Sequence, residues 1–238
     1  MVFLLEIELD DMLRKRFIGL FVLVLMFAAC GNKQDKGKDN ETLDSADQTT
    51  ANTKMQQKNI LFFGTSLTAG YGLDPTEAYP ALIQNRIDSL KLLYKVINGG
   101  LSGETSAGGK GRIDWLLKQP VDIFVLELGA NDGLRGLPVK QTIKNLQDII
   151  DRVKSKYPDV KLVIAGMQMP PNMGAKYAAD FKNIFPDLAK KNNMVLIPFL
   201  LDKVGGIPKL NQADGIHPTA EGDKILADNV WVVLKDLL

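Results

Sequence analysis

The sequence is short of the residues that most narrow what a protein can do. It holds one cysteine and one histidine in 238 residues. A single thiol excludes an internal disulfide. One Cys and one His cannot build a thiolate and imidazole zinc site. A carboxylate-only metal site stays open, but no spaced run of Asp and Glu suggests one. Charge is balanced, with 29 basic against 28 acidic residues and a formal net charge of +1. Without a basic excess, nucleic acid is not an expected partner. The apolar run Phe17 to Ala29, about 13 residues, falls short of the roughly 20 that a membrane-spanning helix needs.

What is present divides the chain into three parts. Arg14-Lys15-Arg16 precedes the apolar run, and small residues and Cys30 follow it. A basic start, a short apolar stretch and a small-residue break describe an export signal over residues 1–29. Met1 to Asp11 is acidic, unlike a signal start, so Met12 is the expected initiator. Phe27-Ala28-Ala29-Cys30 resembles the lipobox of bacterial lipoproteins, in which the Cys becomes the lipidated first residue; Phe27 departs from the usual aliphatic residue there. The alternative is ordinary signal cleavage that leaves a free thiol. Lipidation implies an exported protein held to a membrane on its periplasmic or cell-surface face. Residues 30–58, rich in Lys, Asp, Gln, Thr and Asn, bury too little to offset the entropy of ordering and read as a tether.

A folded domain is expected over residues 59–238. Five apolar runs read as strands: Ile60 to Phe63, Lys95 to Asn98, Ile123 to Leu128, Leu162 to Ala165 and Val195 to Pro198. Helical periods lie between them, over Ala78 to Leu93, around Val139, Ile143, Leu146, Ile150 and Val153, and through Leu226, Val230, Val233 and Leu237. Pro186 is expected to kink or split the helix from Tyr177 to Lys191. Continuous apolar strands separated by helices predict an α/β fold, a three-layer α/β/α sandwich around a five-stranded parallel sheet. Such sheets carry their sites at the carboxyl ends of the strands.

The only histidine, His217, lies in Asn211-Gln-Ala-Asp214-Gly-Ile-His217-Pro218, three residues after Asp214. At the other end of the domain, Ser66 follows the first strand in Gly64-Thr65-Ser66-Leu67. A serine, a carboxylate and an imidazole are the nucleophile, orienting group and base of acyl transfer. A serine after a strand also serves as a helix cap, so the motif alone is weak. Two further blocks sit at strand ends. Ser102-Gly103-Glu104-Thr105-Ser106 offers a glycine amide, and Gly129-Ala130-Asn131-Asp132-Gly133 offers a side-chain amide. With the Ser66 amide they would supply three donors to an oxyanion.

These four blocks resemble the SGNH hydrolases of the GDSL esterase/lipase superfamily, whose four name residues match Ser66, Gly103, Asn131 and His217. The likeness spans Asn59 to Leu238. It is closest to the acyl-CoA thioesterase I, lysophospholipase L1 and arylesterase group, through Thr68-Ala-Gly-Tyr-Gly72 and Glu127-Leu-Gly-Ala-Asn-Asp-Gly-Leu-Arg-Gly136. The resemblance implies a flavodoxin-like fold and hydrolysis of a small-molecule ester or thioester through an acyl-serine. Ser66, Asp214 and His217 would be catalytic. The backbone amides of Ser66 and Gly103 and the side chain of Asn131 would form the oxyanion hole. It implies no metal or organic cofactor, and a monomer. Thr65 stands where the family usually has Asp. Leu134 and Arg135, in a glycine-flanked loop, and Met169 and Pro170, after the fourth strand, are candidates for the acyl groove. Two other readings remain: a carbohydrate or peptidoglycan O-acetyl esterase, and a non-catalytic binding lipoprotein.

Overall fold

A computed structural model describes residues 57–238. The expectations for the export signal, Cys30 and the tether as far as residue 56 lie outside the described residues. Five strands run in parallel in the order β2-β1-β3-β4-β5. They are β1 (Lys58–Gly64), β2 (Tyr94–Gly100), β3 (Ile123–Glu127), β4 (Lys161–Ala165) and β5 (Val195–Ile197). Every residue of β3 is buried, as the central strand of a sheet covered on both faces requires. Each fully buried Phe, Leu or Ile in such a sheet gains about 2 kcal/mol from leaving water.

Among the described residues there are seven α-helices: α1 (Ser66–Ala69), α2 (Tyr79–Ser89), α3 (Ser106–Leu116), α4 (Ala130–Leu134), α5 (Val139–Lys156), α6 (Ala175–Asn192) and α7 (Ala220–Leu234). α2 packs with α7, while α5 packs between α3 and α6. α5 buries Leu146, Ile149, Ile150 and Val153, the face that the apolar spacing marks.

α6 differs from expectation. Pro186 neither splits nor ends it, and the helix is continuous from Ala175 to Asn192. Phe181, Ile184, Phe185, Leu188 and Ala189 bury one side of it, while Pro186 and Lys182 lie on the exposed side. The carbonyl that loses its partner to proline, that of Lys182, is therefore where water can replace the bond. α3 has no apolar signal in the sequence, because three glycines occupy its eleven residues. Packing explains them in part: a Cβ at Gly109 would run into Leu128 Cδ1 and close on the Phe63 ring. The helix trades propensity for a close approach to the sheet.

The order of the sheet reverses at β1, whose neighbours are β2 and β3. At such a switch point the connections leave in opposite directions and a crevice opens at the strand ends. The register places Gly64 opposite both Gly100 and Glu127 at that edge.

Candidate active site

Ser66 is the first residue of α1, immediately beyond β1. Its N–H has no acceptor one turn back, as for any helix start. The turn that carries it is closed from several sides. Ala69 N–H donates to the Thr65 carbonyl, and Tyr71 N–H to that of Ser66. Asn98 of β2 donates its amide to the Thr68 carbonyl at 2.8 Å. Below the turn, Glu127 accepts from the backbone N–H of Thr65 at 2.8 Å and from the Thr68 hydroxyl at 2.8 Å.

His217 sits in a hairpin closed by the bridge between Asn211 and Pro218. Gln212 N–H donates to the His217 carbonyl at 2.7 Å. The Gln212 side chain donates to the carbonyls of Tyr71 and Pro218, tying the hairpin to the serine turn. His217 Nε2 is 2.9 Å from Ser66 Oγ. On the other edge of the ring, Nδ1 is 2.6 Å from Asp214 Oδ2. Asp214 Oδ1 accepts from the backbone N–H groups of Ile216 and His217 at 2.9 and 3.0 Å. The imidazole first, then those two amides, hold the Asp214 carboxyl down at about 2. Asp214 is therefore ionised across the neutral range, and Nδ1 carries the hydrogen that faces it. Nε2 is left to accept the Ser66 proton. The Tyr71 ring lies 4.6 Å from the imidazole and is half exposed.

Gly103 and Asn131 are held in a second cluster. Gly103, with φ of +76°, is exposed three residues beyond the end of β2. Its carbonyl accepts from Arg135 at 3.0 Å. Asn131 donates one amide hydrogen to the Glu104 carbonyl at 3.0 Å. The second hydrogen of that amide remains for another acceptor. Glu104 is buried and pinned by Arg112, which also donates to the Gly99 carbonyl at 2.7 Å and covers the Phe63 ring. One guanidinium thus joins the ends of β1 and β2 to the segment that carries Gly103. Asp132 accepts from Ser106 N–H and hydroxyl at 2.7 and 2.5 Å, fixing α4 against α3.

Among the groove candidates, Leu134 and Arg135 are exposed in and just after α4, and Pro170 is exposed beyond β4. Met169 packs against Gly133, where a Cβ would meet its thioether. Met167, another apolar residue of that segment, is core, only 2% exposed. Three neighbours of the site escape the sequence: Tyr71, Arg112 and Glu127. For Glu127 a signal exists, a lone carboxylate in an otherwise apolar strand.

Residues 62–225 match the GDSL-like Lipase/Acylhydrolase family. The chain is 38% identical over 182 residues to the esterase TesA of Pseudomonas aeruginosa, covering 76% of this chain and 90% of the relative. It is also 38% identical over 170 residues to thioesterase 1/protease 1/lysophospholipase L1 of Escherichia coli, covering 71% and 79%. A crystal structure of the psychrotrophic esterase EstA from Pseudoalteromonas, inhibited by monoethylphosphonate, superposes with a TM-score of 0.71 at 32% identity, over 75% of this chain and 97% of that one.

Proposed function

The chain belongs to the GDSL-like Lipase/Acylhydrolase family and is an ester hydrolase of the SGNH type, and we propose that it cleaves carboxylic esters and thioesters through an acyl-Ser66 intermediate. The observation that carries this reading is the continuous chain Asp214 to His217 to Ser66, at 2.6 and 2.9 Å. His217 Nε2 takes the hydroxyl proton as Ser66 Oγ attacks the acyl carbon. Asp214 keeps the ring in the required tautomer and faces the imidazolium that forms. The Ser66 and Gly103 amides and the free Asn131 amide hydrogen receive the developing oxyanion. The imidazolium then gives its proton to the leaving alcohol or thiol. Water, deprotonated by His217, releases the acid and restores Ser66.

Substrate class follows from what is exposed around these atoms. Tyr71 and Ile216 flank His217, and Leu101 and Leu134 stand near Gly103 and Asn131 in the chain; all four are exposed large apolar residues. Such a rim suits an apolar acyl or aryl group. Together with the names of the relatives, among them an arylesterase of Vibrio mimicus 36% identical over 174 residues, it supports aryl esters, acyl-CoA-type thioesters and lysophospholipids as substrates. Export and a lipid anchor at Cys30 complete the proposal, with the enzyme acting as a monomer on the periplasmic or cell-surface side. Two experiments test it. Release of p-nitrophenol from acetyl through dodecanoyl esters should favour the longer chains and vanish in Ser66→Ala; exclusive use of acetyl esters overturns the substrate class. Mass spectrometry of the membrane-extracted protein should find Cys30 lipidated, and Cys30→Ser should release the protein from membranes.

A further inference from the structure

Glu127 is 0% exposed and has an unusual set of partners. Oε2 accepts from Thr65 N–H at 2.8 Å, Thr68 N–H at 3.3 Å and Thr68 hydroxyl at 2.8 Å. The Thr65 hydroxyl reaches both oxygens, at 3.0 and 3.1 Å. All these donors belong to the two residues that bracket Ser66 and Leu67. A carboxylate kept in a core for stability is normally paired with a cation, because burying the bare charge is costly. Here every donor is neutral, and the one guanidinium close by, that of Arg112, pairs with Glu104 and two strand-end carbonyls.

The surroundings admit the carboxylate closely. A Cβ at residue 64 would stand 2.5 Å from Glu127 Oε2, so the strand must end in glycine there. The other groups facing it are few. Tyr79 of α2 shares the Thr68 hydroxyl at 2.8 Å, and Asp223 of α7 accepts from the Tyr79 backbone N–H. Arg112 of α3 reaches only the Gly64 carbonyl above it, at 3.5 Å. Neither tyrosine nor aspartate supplies positive charge.

We propose that Glu127 is the positioning residue of the nucleophile turn: its carboxylate gathers the flanking threonines and so sets Ser66 Oγ in line with His217 Nε2. This rests on the serine-hydrolase reading and adds to it a role that the motif leaves to residue 65. Where the family motif has Asp, Thr65 donates to Glu127. An Asp there would set a second carboxylate about 3 Å from the first, and the pair would have to retain a proton. Burial pushes the Glu127 carboxyl from 4.5 up to about 7, against the pull of its four hydrogen bonds. The carboxylate that accepts from every donor is therefore lost as pH falls through about 7.

The test reads alignment without deacylation: the rate at which diethyl p-nitrophenyl phosphate phosphorylates Ser66, followed from pH 5 to 9. Ser66→Ala is the control; if it still takes up the label, the serine-hydrolase reading fails and not this one. Glu127→Gln keeps the shape and removes the charge. Folded Glu127→Gln should react about tenfold more slowly, since an ångström of misplacement is worth up to ~10²-fold. Its acid limb should also lose the proton that Glu127 contributes in the wild type. In ester turnover, kcat should fall with KM nearly unchanged. If the Gln variant does not fold, Thr65→Val takes its place: it leaves the carboxylate and removes one donor, and should slow labelling about threefold by the same misplacement argument. A folded variant with the wild-type rate and the wild-type acid limb overturns the proposal.

Discussion

Two carboxylates flank Ser66, and their surroundings are opposite. Asp214 stands in the exposed hairpin behind His217, with its side chain 38% accessible. Glu127 lies in the floor of the serine turn, fully buried. Asp214 is bound by an imidazole that becomes positive during the reaction, and its carboxyl is held down at about 2. Glu127 is bound only by neutral donors, and burial pushes its carboxyl up to about 7. The same functional group thus serves two ends. One keeps its charge across the neutral range and turns it towards the base. The other holds a loop and carries its charge at a cost to the fold.

The largest effects expected from breaking this arrangement come from the atoms that both carboxylates serve. Ser66→Ala and His217→Ala should each lower kcat for p-nitrophenyl esters by at least about 10³-fold, and the double variant should be little worse, because the two act as one unit. Independent, additive losses would contradict the hydrogen bond between them. Asp214→Asn comes next. It should fold normally and lose roughly 10³–10⁴-fold in kcat, by removing the charge and favouring the wrong tautomer. If Asp214→Asn loses no more than Glu127→Gln, the contrast drawn between the two carboxylates is wrong.

Asn131→Ala should cost about 10²–10³-fold, and in kcat more than in KM, since its free hydrogen is used when the oxyanion forms. A rise in KM at constant kcat would move Asn131 from the oxyanion to ground-state binding.

The smallest expected effect separates the two carboxylates by stability alone. Between pH 4.5 and about 7 the folded chain keeps the Glu127 proton that the unfolded chain has released. The contribution is full below pH 4.5 and lost as pH rises through 7, about 3 kcal/mol in all for a shift of this size. Asp214 has the opposite sign: its contribution is present above 3.8 and lost as pH falls towards 2. Asp223, also raised to about 7 by burial, adds to the alkaline loss in both proteins. Urea unfolding from pH 4.5 to 8 should therefore show Glu127→Gln gaining on the wild type as pH rises. A constant difference across that range would mean that Glu127 holds no shifted proton.

The pH dependence also changes what the single histidine implies. One imidazole leads to the expectation of one acidic limb governed by one group. The fold adds two buried carboxyls raised to about 7, those of Glu127 and Asp223, both far from His217 in the chain or on another element. Under the proposal Glu127 adds its own proton to that limb, and Glu127→Gln removes it.

Local chemistry written in consecutive residues was legible without coordinates. The five strands are apolar runs bounded by polar residues, and the α5 face is a 3.6-residue period, so both can be read directly. Asp214 and His217 meet through a three-residue hairpin spacing, and Ser66, Gly103 and Asn131 follow strand ends, which a parallel sheet gathers at one edge. The parts that could not be read depend on what lies across from a residue. Gly109 of α3 looks like part of a loop until Leu128 and Phe63 occupy the space where its side chain would be. Pro186 looks like a break until it falls on the wet side of α6. Glu127 looks like the tail of a strand, 61 positions after Ser66 in the chain. Only the pairing of β1 with β3 sets it beneath the serine, because strand register and not sequence distance decides which donors a buried carboxylate meets.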